Sequence, residues 1–224
     1  WHIDAWLLLE YVTSMERAEY FLKKSCNVPE ETVQRYFNLI SLRASHIPLQ
    51  HITGRQEFMG LEFIVSPDVL VPRQDTETLA EYVLPLVKGK HVLDMCTGSG
   101  CLAISLIKLG NPALCKAADI SKKALAVAIE NARTNNASAE FIHSDMFCSV
   151  SGSFDIIVSN PPYIKTEIID TLMPEVKEHE PSIALDGGPD GLKFYRIISS
   201  EAKNYLKEGG IVAVETGYDQ GKQV

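Results

Sequence analysis

The segment from His91 to Ile107 most limits the architecture open to this chain. His91-Val92-Leu93-Asp94-Met95 reads as a short buried strand and Cys96-Thr97-Gly98-Ser99-Gly100 as a glycine turn. Leu102, Ile104, Ser105, Leu106 and Ile107 then mark a helix. Strand, glycine turn and helix form the α/β unit in which backbone can approach a nucleotide-like ligand closely, because glycine lacks the Cβ that would stand in the way. Strand and helix patterns alternate from there to the end. The later apolar runs end at Asp119, at His143 (from Glu140), at Ser159 (from Phe154) and at Glu215 (from Ile211). This predicts an α/β sheet fold.

The region before the sheet has a different texture. Residues 1–45 are helical in pattern. Leu7, Leu8 and Tyr11 repeat on one face and Val33, Tyr36, Phe37 and Ile40 on another, with Pro29 and Glu30 opening the second helix. Met15, Tyr20 and Phe21 are expected in the packing between these short helices. Phe58 to Val65 reads as two short strands turning at Gly60, within a linker spanning 46–70. A helix through Thr76, Leu79, Val83 and Leu86 then opens the α/β region, 71–224. The strand Ile211 to Glu215 is apolar enough to be buried on both faces.

The glycine turn does not suit a dinucleotide. That chemistry wants G-x-G-x-x-G, with a pyrophosphate on the helix N-terminus. Here only Gly98 and Gly100 are present, and Cys96 occupies the first glycine position. Asp94 ahead of the turn favours a cation over an anion. Asp119 closes the next strand, where nucleotide-binding α/β folds hold ribose hydroxyls. Ser144-Asp145-Met146-Phe147 follows a third strand and falls on the adenine side. An adenosine with a positive charge and no phosphate, S-adenosylmethionine, meets these requirements. The plainer alternatives are an ordinary tight turn for the glycines and a helix N-cap for Asp119.

Asn160-Pro161-Pro162-Tyr163 follows the strand Phe154 to Ser159. Pro161 biases Asn160 towards an extended backbone, and the two prolines fix consecutive φ angles and remove two N–H donors. The result is a stiff corner offering an amide oxygen, bare carbonyls and a flat ring, suited to a planar nitrogen that donates hydrogen bonds. The motif has no acid, base or nucleophile of its own, so chemistry there rests on positioning. A strand-ending turn is the alternative reading. Downstream, the glycine-rich run Gly187 to Gly191 reads locally as a turn, with Asp190 near a helix N-terminus.

With 46% hydrophobic residues in 224, the chain can bury a real core, and no apolar run approaches a membrane span. A net charge of −8 without a dense basic block argues against wrapping nucleic acid. Cys26, Cys96, Cys101, Cys115 and Cys148 form no C-x-x-C pair, so no disulfide framework or metal site is indicated. With no secretory signal visible, a reducing, cytoplasmic setting is expected.

Five blocks make the chain resemble the HemK/PrmC-type protein N5-glutamine methyltransferases over nearly its whole length. They are Pro48 to Gly54; Val71-Pro72-Arg73-Gln74-Asp75-Thr76-Glu77; Asp94 to Gly100; Asn160 to Ile164; and Glu180-Pro181 with Gly187 to Leu192. The Asn-Pro-Pro-Tyr block is shared with amino-methylating DNA and RNA enzymes; its combination with Arg73 to Glu77 is specific to this family. The resemblance implies a class I S-adenosylmethionine-dependent methyltransferase of Rossmann-like fold, preceded by a helical substrate-recognition domain and a β-hairpin linker. It implies methylation of the glutamine in the Gly-Gly-Gln loop of class I peptide-chain release factors. Asp94, Cys96, Thr97, Gly98, Ser99, Gly100, Asp119, Asp145, Met146 and Asn160 would hold the cofactor. Asn160, Pro161 and Tyr163 would be catalytic, with Pro162, Arg73 and Glu77 also meeting the substrate. Two departures accompany it. Cys96 must avoid a positive φ or bear its cost, and the family continues past this chain's end with a closing pair of strands. The rival readings are an exocyclic-amine methyltransferase acting on nucleic acid, a non-catalytic scaffold of the same fold, and, weakest, a dinucleotide oxidoreductase.

Overall fold

The computed structural model describes residues 2–224; Trp1, at the head of the expected helical segment, lies outside the described residues. The chain opens with α1 (His2–Thr13), α2 (Arg17–Lys23), α3 (Glu30–Ala44) and α4 (Leu49–Thr53), followed by the hairpin strands β1 (Arg55–Phe58) and β2 (Leu61–Ile64). Then come α5 (Gln74–Val83), β3 (His91–Met95), α6 (Cys101–Gly110), β4 (Leu114–Asp119), α7 (Lys122–Thr134), β5 (Glu140–His143) and β6 (Phe154–Ser159). The short helices α8 (Thr166–Ile169) and α9 (Pro174–Lys177), the helix α10 (Lys193–Glu201) and β7 (Leu206–Val214) complete it.

The five later strands form one parallel sheet in the order β5-β4-β3-β6-β7. Both faces are covered, and the period-2 alternation of side chains sorts the core accordingly. Val92, Ile156 and Val158 pack with Leu79, Val83, Leu102 and Leu106 of α5 and α6. Leu93, Met95 and Ile157 face the other way, onto Phe147, Ile198 and Ala202. The chain runs outward from β3 to β5 and then returns to place β6 beside β3. The strand order therefore switches between β3 and β6, where open α/β sheets place their ligands.

The hairpin's two-residue loop puts both Met59 (φ 53°) and Gly60 (φ 72°) in the left-handed region, the type I′ geometry that matches strand twist. The first strand begins at Arg55, earlier than the apolar pattern predicts, because Arg55 to Glu57 pair through backbone with mostly exposed side chains. Phe58 and Phe63 are buried in the same core as α5 and α6, edge to face at 6.1 Å, so the hairpin is built into the sheet's own packing. Asn131 of α7, fully buried, clamps it. Its Oδ1 accepts from Ile64 N, and its Nδ2 donates to the carbonyls of Ile64 and Ser99.

Two expectations for the periphery are corrected. The first 45 residues hold three helices, and Leu8 is the only buried residue among those described in α1–α3. Phe21 is exposed, against expectation, whereas Tyr20 does pack between the short helices, edge-on against Trp6 of α1 at 4.9 Å. Helices this short offer too little surface to enclose one another. Strand β7 pairs with β6 alone among the described strands and leaves Ile211 and Val212 each 39% exposed, so it is not buried on both faces. No described helix is long and apolar enough to cross a membrane.

Candidate active site

The carboxyl ends of β3, β4 and β6 lie side by side, because the parallel register sets Met95 against Ala118 on one side and Ser159 on the other. The residues that follow these strand ends therefore converge. They line a cavity of about 230 Å³ whose walls include Cys96, Thr97, Gly98, Ser99, Asp119, Asp145, Met146, Asn160 and Pro162.

Asp119 anchors the glycine-turn side of the cavity. Its Oδ2 accepts from Gly98 N at 2.8 Å and its Oδ1 from Ser121 N at 2.8 Å, which ties the glycine turn to the end of β4. Each oxygen has a second lone pair for a hydroxyl donor. Burial raises its pKa, against the backbone donors that favour the charged form. Ser121, not Asp119, caps α7, by accepting from Ala124 N.

The two glycines are required for different reasons. Gly98 (φ 56°) supplies a left-handed conformation in open space. At Gly100 (φ 81°) a Cβ would stand 3.0 Å from Ile104 and 3.1 Å from Ala128, too close for the α6–α7 contact. Cys96 adopts φ 60° and bears the left-handed penalty of roughly 1–2 kcal/mol. Met146 opposite, at φ 46°, shares that geometry, and the two sulfurs meet at 3.9 Å. Ser144 holds the Met146 loop by donating to the Met146 carbonyl and accepting from Ser149 N.

Asp94 is placed differently from expectation. It is fully buried and stands behind the turn, outside the cavity lining. Strand alternation turns it to the α6 side, where its Oδ2 accepts from Thr97 Oγ1 (2.6 Å) and Ala103 N (3.2 Å). Burial pushes its pKa up to about 7. A carboxylate thus already occupies the start of α6, where a pyrophosphate would otherwise be bound. The start of α6 is therefore already engaged by a side chain of the chain itself.

On the acceptor side, the corner is buttressed from below. A Cβ on Gly187 would stand 2.7 Å from Tyr163 Cα, and one on Gly191 2.4 Å from the Tyr163 carbonyl. The buried Gln220 donates its Nε2 to that same carbonyl at 3.0 Å. The run Gly187 to Gly191 is therefore the seat of the Asn-Pro-Pro-Tyr corner as well as a turn before α10. Asp190 accepts from Leu192 N and pairs with Arg196 near the start of that helix.

Arg73 lines the cavity, and its Nη2 donates to both oxygens of the buried Glu180, at 2.6 and 2.7 Å. That pair accounts for the Glu180-Pro181 block. Glu77 does not reach the cavity. Its carboxylate accepts from Met59 N and holds the hairpin turn to α5. Pro161 and Tyr163 also lie outside the lining. Tyr163 is half-buried, and its hydroxyl donates to Glu215 at 3.1 Å. Sequence reasoning missed Thr76, Glu215 and Asn131, although Thr76 stands inside a family block.

A parallel sheet with its switch point at this cavity, lined by Asp119, a glycine turn and Asn160, has the architecture of an α/β-class methyltransferase. Residues 74–176 match the Methyltransferase small domain family and residues 2–54 the PrmC N-terminal domain family. The fold is shared with a methyltransferase from Pyrococcus furiosus (TM-score 0.56, 22% identity, 72% of each chain). It is also shared with a Thermus thermophilus 16S rRNA N2 G1207 methyltransferase solved with AdoMet and guanosine (TM-score 0.51, 20% identity, 71% of this chain and 40% of that one). Among curated relatives, the release factor glutamine methyltransferase of Agrobacterium fabrum is 41% identical over 97% of this chain and 78% of its own length. That of Clostridium acetobutylicum is 39% identical over 99% and 80%. The chain belongs to the release factor glutamine methyltransferase family.

Proposed function

We propose that this enzyme transfers the methyl group of S-adenosylmethionine to the side-chain nitrogen of the glutamine in the Gly-Gly-Gln loop of class I peptide-chain release factors. The observation that carries the reading is the meeting of Asp119, the glycine turn and Asn160 around one cavity at the strand ends. When bound, S-adenosylmethionine supplies an electrophilic methyl on a positively charged sulfur. The chain's own residues supply position. Gly98 and Ser99 would lie close to the cofactor, Asp119 would accept from its ribose hydroxyls, and Asp145 and Met146 would border the adenine.

An amide nitrogen is a poor nucleophile because its lone pair is delocalised into the carbonyl. The Asn160 side-chain oxygen and the Pro161 carbonyl each accept one N–H of the glutamine and turn the lone pair towards the methyl. Each such bond contributes only about 1 kcal/mol net. Correct orientation and proximity contribute roughly 7–11 kcal/mol, so geometry dominates. The methylated nitrogen sheds its proton to solvent without a dedicated base. Pro162 and Arg73, which line the cavity, border the acceptor with Tyr163 behind them, and the helices up to residue 45 meet the body of the release factor.

Mass spectrometry of a release factor incubated with the enzyme and S-adenosylmethionine tests this. One added methyl on the Gly-Gly-Gln glutamine is expected. Asn160→Ala should lower turnover by about a hundredfold, the scale of removing one positioned polar group, with cofactor affinity by calorimetry nearly unchanged. Absence of methylation by the wild type, or full turnover by Asn160→Ala, overturns the reading.

A further inference from the structure

Thr76 of α5 and Glu215, just after β7, meet beside Asn160 although 139 residues separate them in sequence. Thr76 Oγ1 donates to Glu215 Oε2 at 2.6 Å, and Asn160 Nδ2 donates to Thr76 Oγ1 at 2.9 Å. The Tyr163 hydroxyl donates to the other carboxylate oxygen, Oε1, and Glu215 N donates to the Ser159 carbonyl. Thr76 is itself 3% exposed, so this network has little competition from water.

A hydroxyl has one hydrogen. Ionised Glu215 can only accept, so it takes the hydrogen of Thr76 and leaves that oxygen purely as an acceptor towards Asn160. An amide can meet an acceptor only with its NH2 end. The oxygen of the planar Asn160 amide must therefore lie on the opposite side, free for a ligand. Without the relay, the amide could turn over and present two donors to an incoming amide nitrogen that is itself a donor.

We propose that Glu215, acting through Thr76 and through its own contact with the Asn160 side chain, is a positioning group that fixes which end of the Asn160 amide faces the acceptor. Neither residue needs to touch the reacting atoms. The proposal rests on Asn160 receiving the substrate amide, and its tests separate the two. Titratable or charged neighbours of Glu215 are few. Tyr163, Asp75 and the Cys101 thiol face its carboxylate, the Asn160 side chain also reaches it, Arg73 stands by Tyr163, and the Tyr195 hydroxyl bonds the Glu215 carbonyl.

The test uses Thr76→Val, which keeps the shape and removes the hydroxyl, beside Thr76→Ser, which restores it. Thr76→Val should lower kcat on the release factor at least tenfold, with calorimetric affinity for S-adenosylmethionine and melting temperature close to wild type; Thr76→Ser should return kcat to within about threefold of wild type. In ¹⁵N spectra, the Asn160 side-chain resonance, assigned by its loss in Asn160→Ala, should move in Thr76→Val and stay in Thr76→Ser. Glu215→Leu frees the Thr76 hydroxyl to donate to the amide oxygen, so it too should lower kcat. Combining it with Thr76→Val should cost no more than the worse single change, because both act through one amide. Wild-type kcat in Thr76→Val, an unmoved Asn160 resonance, or multiplying losses in the double variant overturns the proposal. If the wild type itself transfers no methyl, the functional reading fails, and the Asn160 resonance still decides the relay.

Discussion

The first 45 residues and the parallel sheet are packed on opposite principles. In the sheet region, strands β3 and β6 bury side chains on both faces, and Leu93, Met95, Ile157 and Phe154 are at most 1% exposed. In α1–α3 only Leu8 is buried, while Leu22 is 86% exposed, Phe21 59% and Phe37 58%. One ion pair of Arg43 lies within the helices and another reaches the sheet region. Arg43 of α3 pairs with Asp4 of α1 and with Glu175 of α9, both at 2.6 Å. A region that leaves its apolar residues in water while held by ion pairs draws little stability from its own burial. The sheet region holds itself together by burial, and the helical region leaves apolar surface exposed.

The contrast can be broken by substitution. Leu93→Ala should cost about 3 kcal/mol of unfolding free energy, the cavity-plus-transfer cost of a fully buried leucine, whereas Phe37→Ala should cost under about 0.5 kcal/mol as a surface change. Urea unfolding of both variants checks this, and equal losses would show that α3 is packed against something the comparison omits. A smaller effect is expected on recognition. Leu22→Asp combined with Phe37→Asp should raise KM for an intact release factor about tenfold, or about 1.4 kcal/mol, and leave KM for a short Gly-Gly-Gln peptide unchanged. Parallel loss on both substrates would assign these helices a purely structural part.

The smallest effect concerns pH and belongs to the sheet region. Burial raises the Asp94 pKa from the ordinary aspartate value of about 3.9 to about 7 in the folded chain. Between those values the folded state holds a proton that the unfolded state has released, so stability falls as pH rises through this window. The contribution of Asp94 should be about 1 kcal/mol between pH 5 and pH 6, and Asp94→Asn should remove it. Thermal unfolding of both proteins at the two pH values is the measurement. An unchanged slope in Asp94→Asn would mean that Asp94 ionises freely in the fold.

Much of the site was legible because it is written at strand ends. Cys96, Asp119 and Asn160 each follow an apolar run, and a parallel sheet brings such positions together whatever its exact strand order. The strand His91–Met95 agrees residue for residue with the apolar pattern. Asp94 was misplaced because a strand delivers successive side chains to opposite faces. With Leu93 and Met95 on one face, the residue between them turns to α6 and away from the cavity. That signal was present in the alternation itself. Glu77 had no such signal, since its partner, the Met59 amide, belongs to a turn whose docking on α5 is a tertiary event.

The sequence by itself determined the open α/β architecture, the glycine turn, the two acids and the stiff Asn-Pro-Pro-Tyr corner. Each is a local matter of hydrophobic period, backbone restriction or chemical type. Only the tertiary structure decided which groups stand behind that corner. Placing β7 beside β6 and α5 over the same strand ends set Glu215 and Thr76 against Asn160. Hydrogen bonds between residues so distant in sequence depend on sheet order and helix docking, which no local pattern encodes. The hydrogen bonds around the Asn160 amide follow from them.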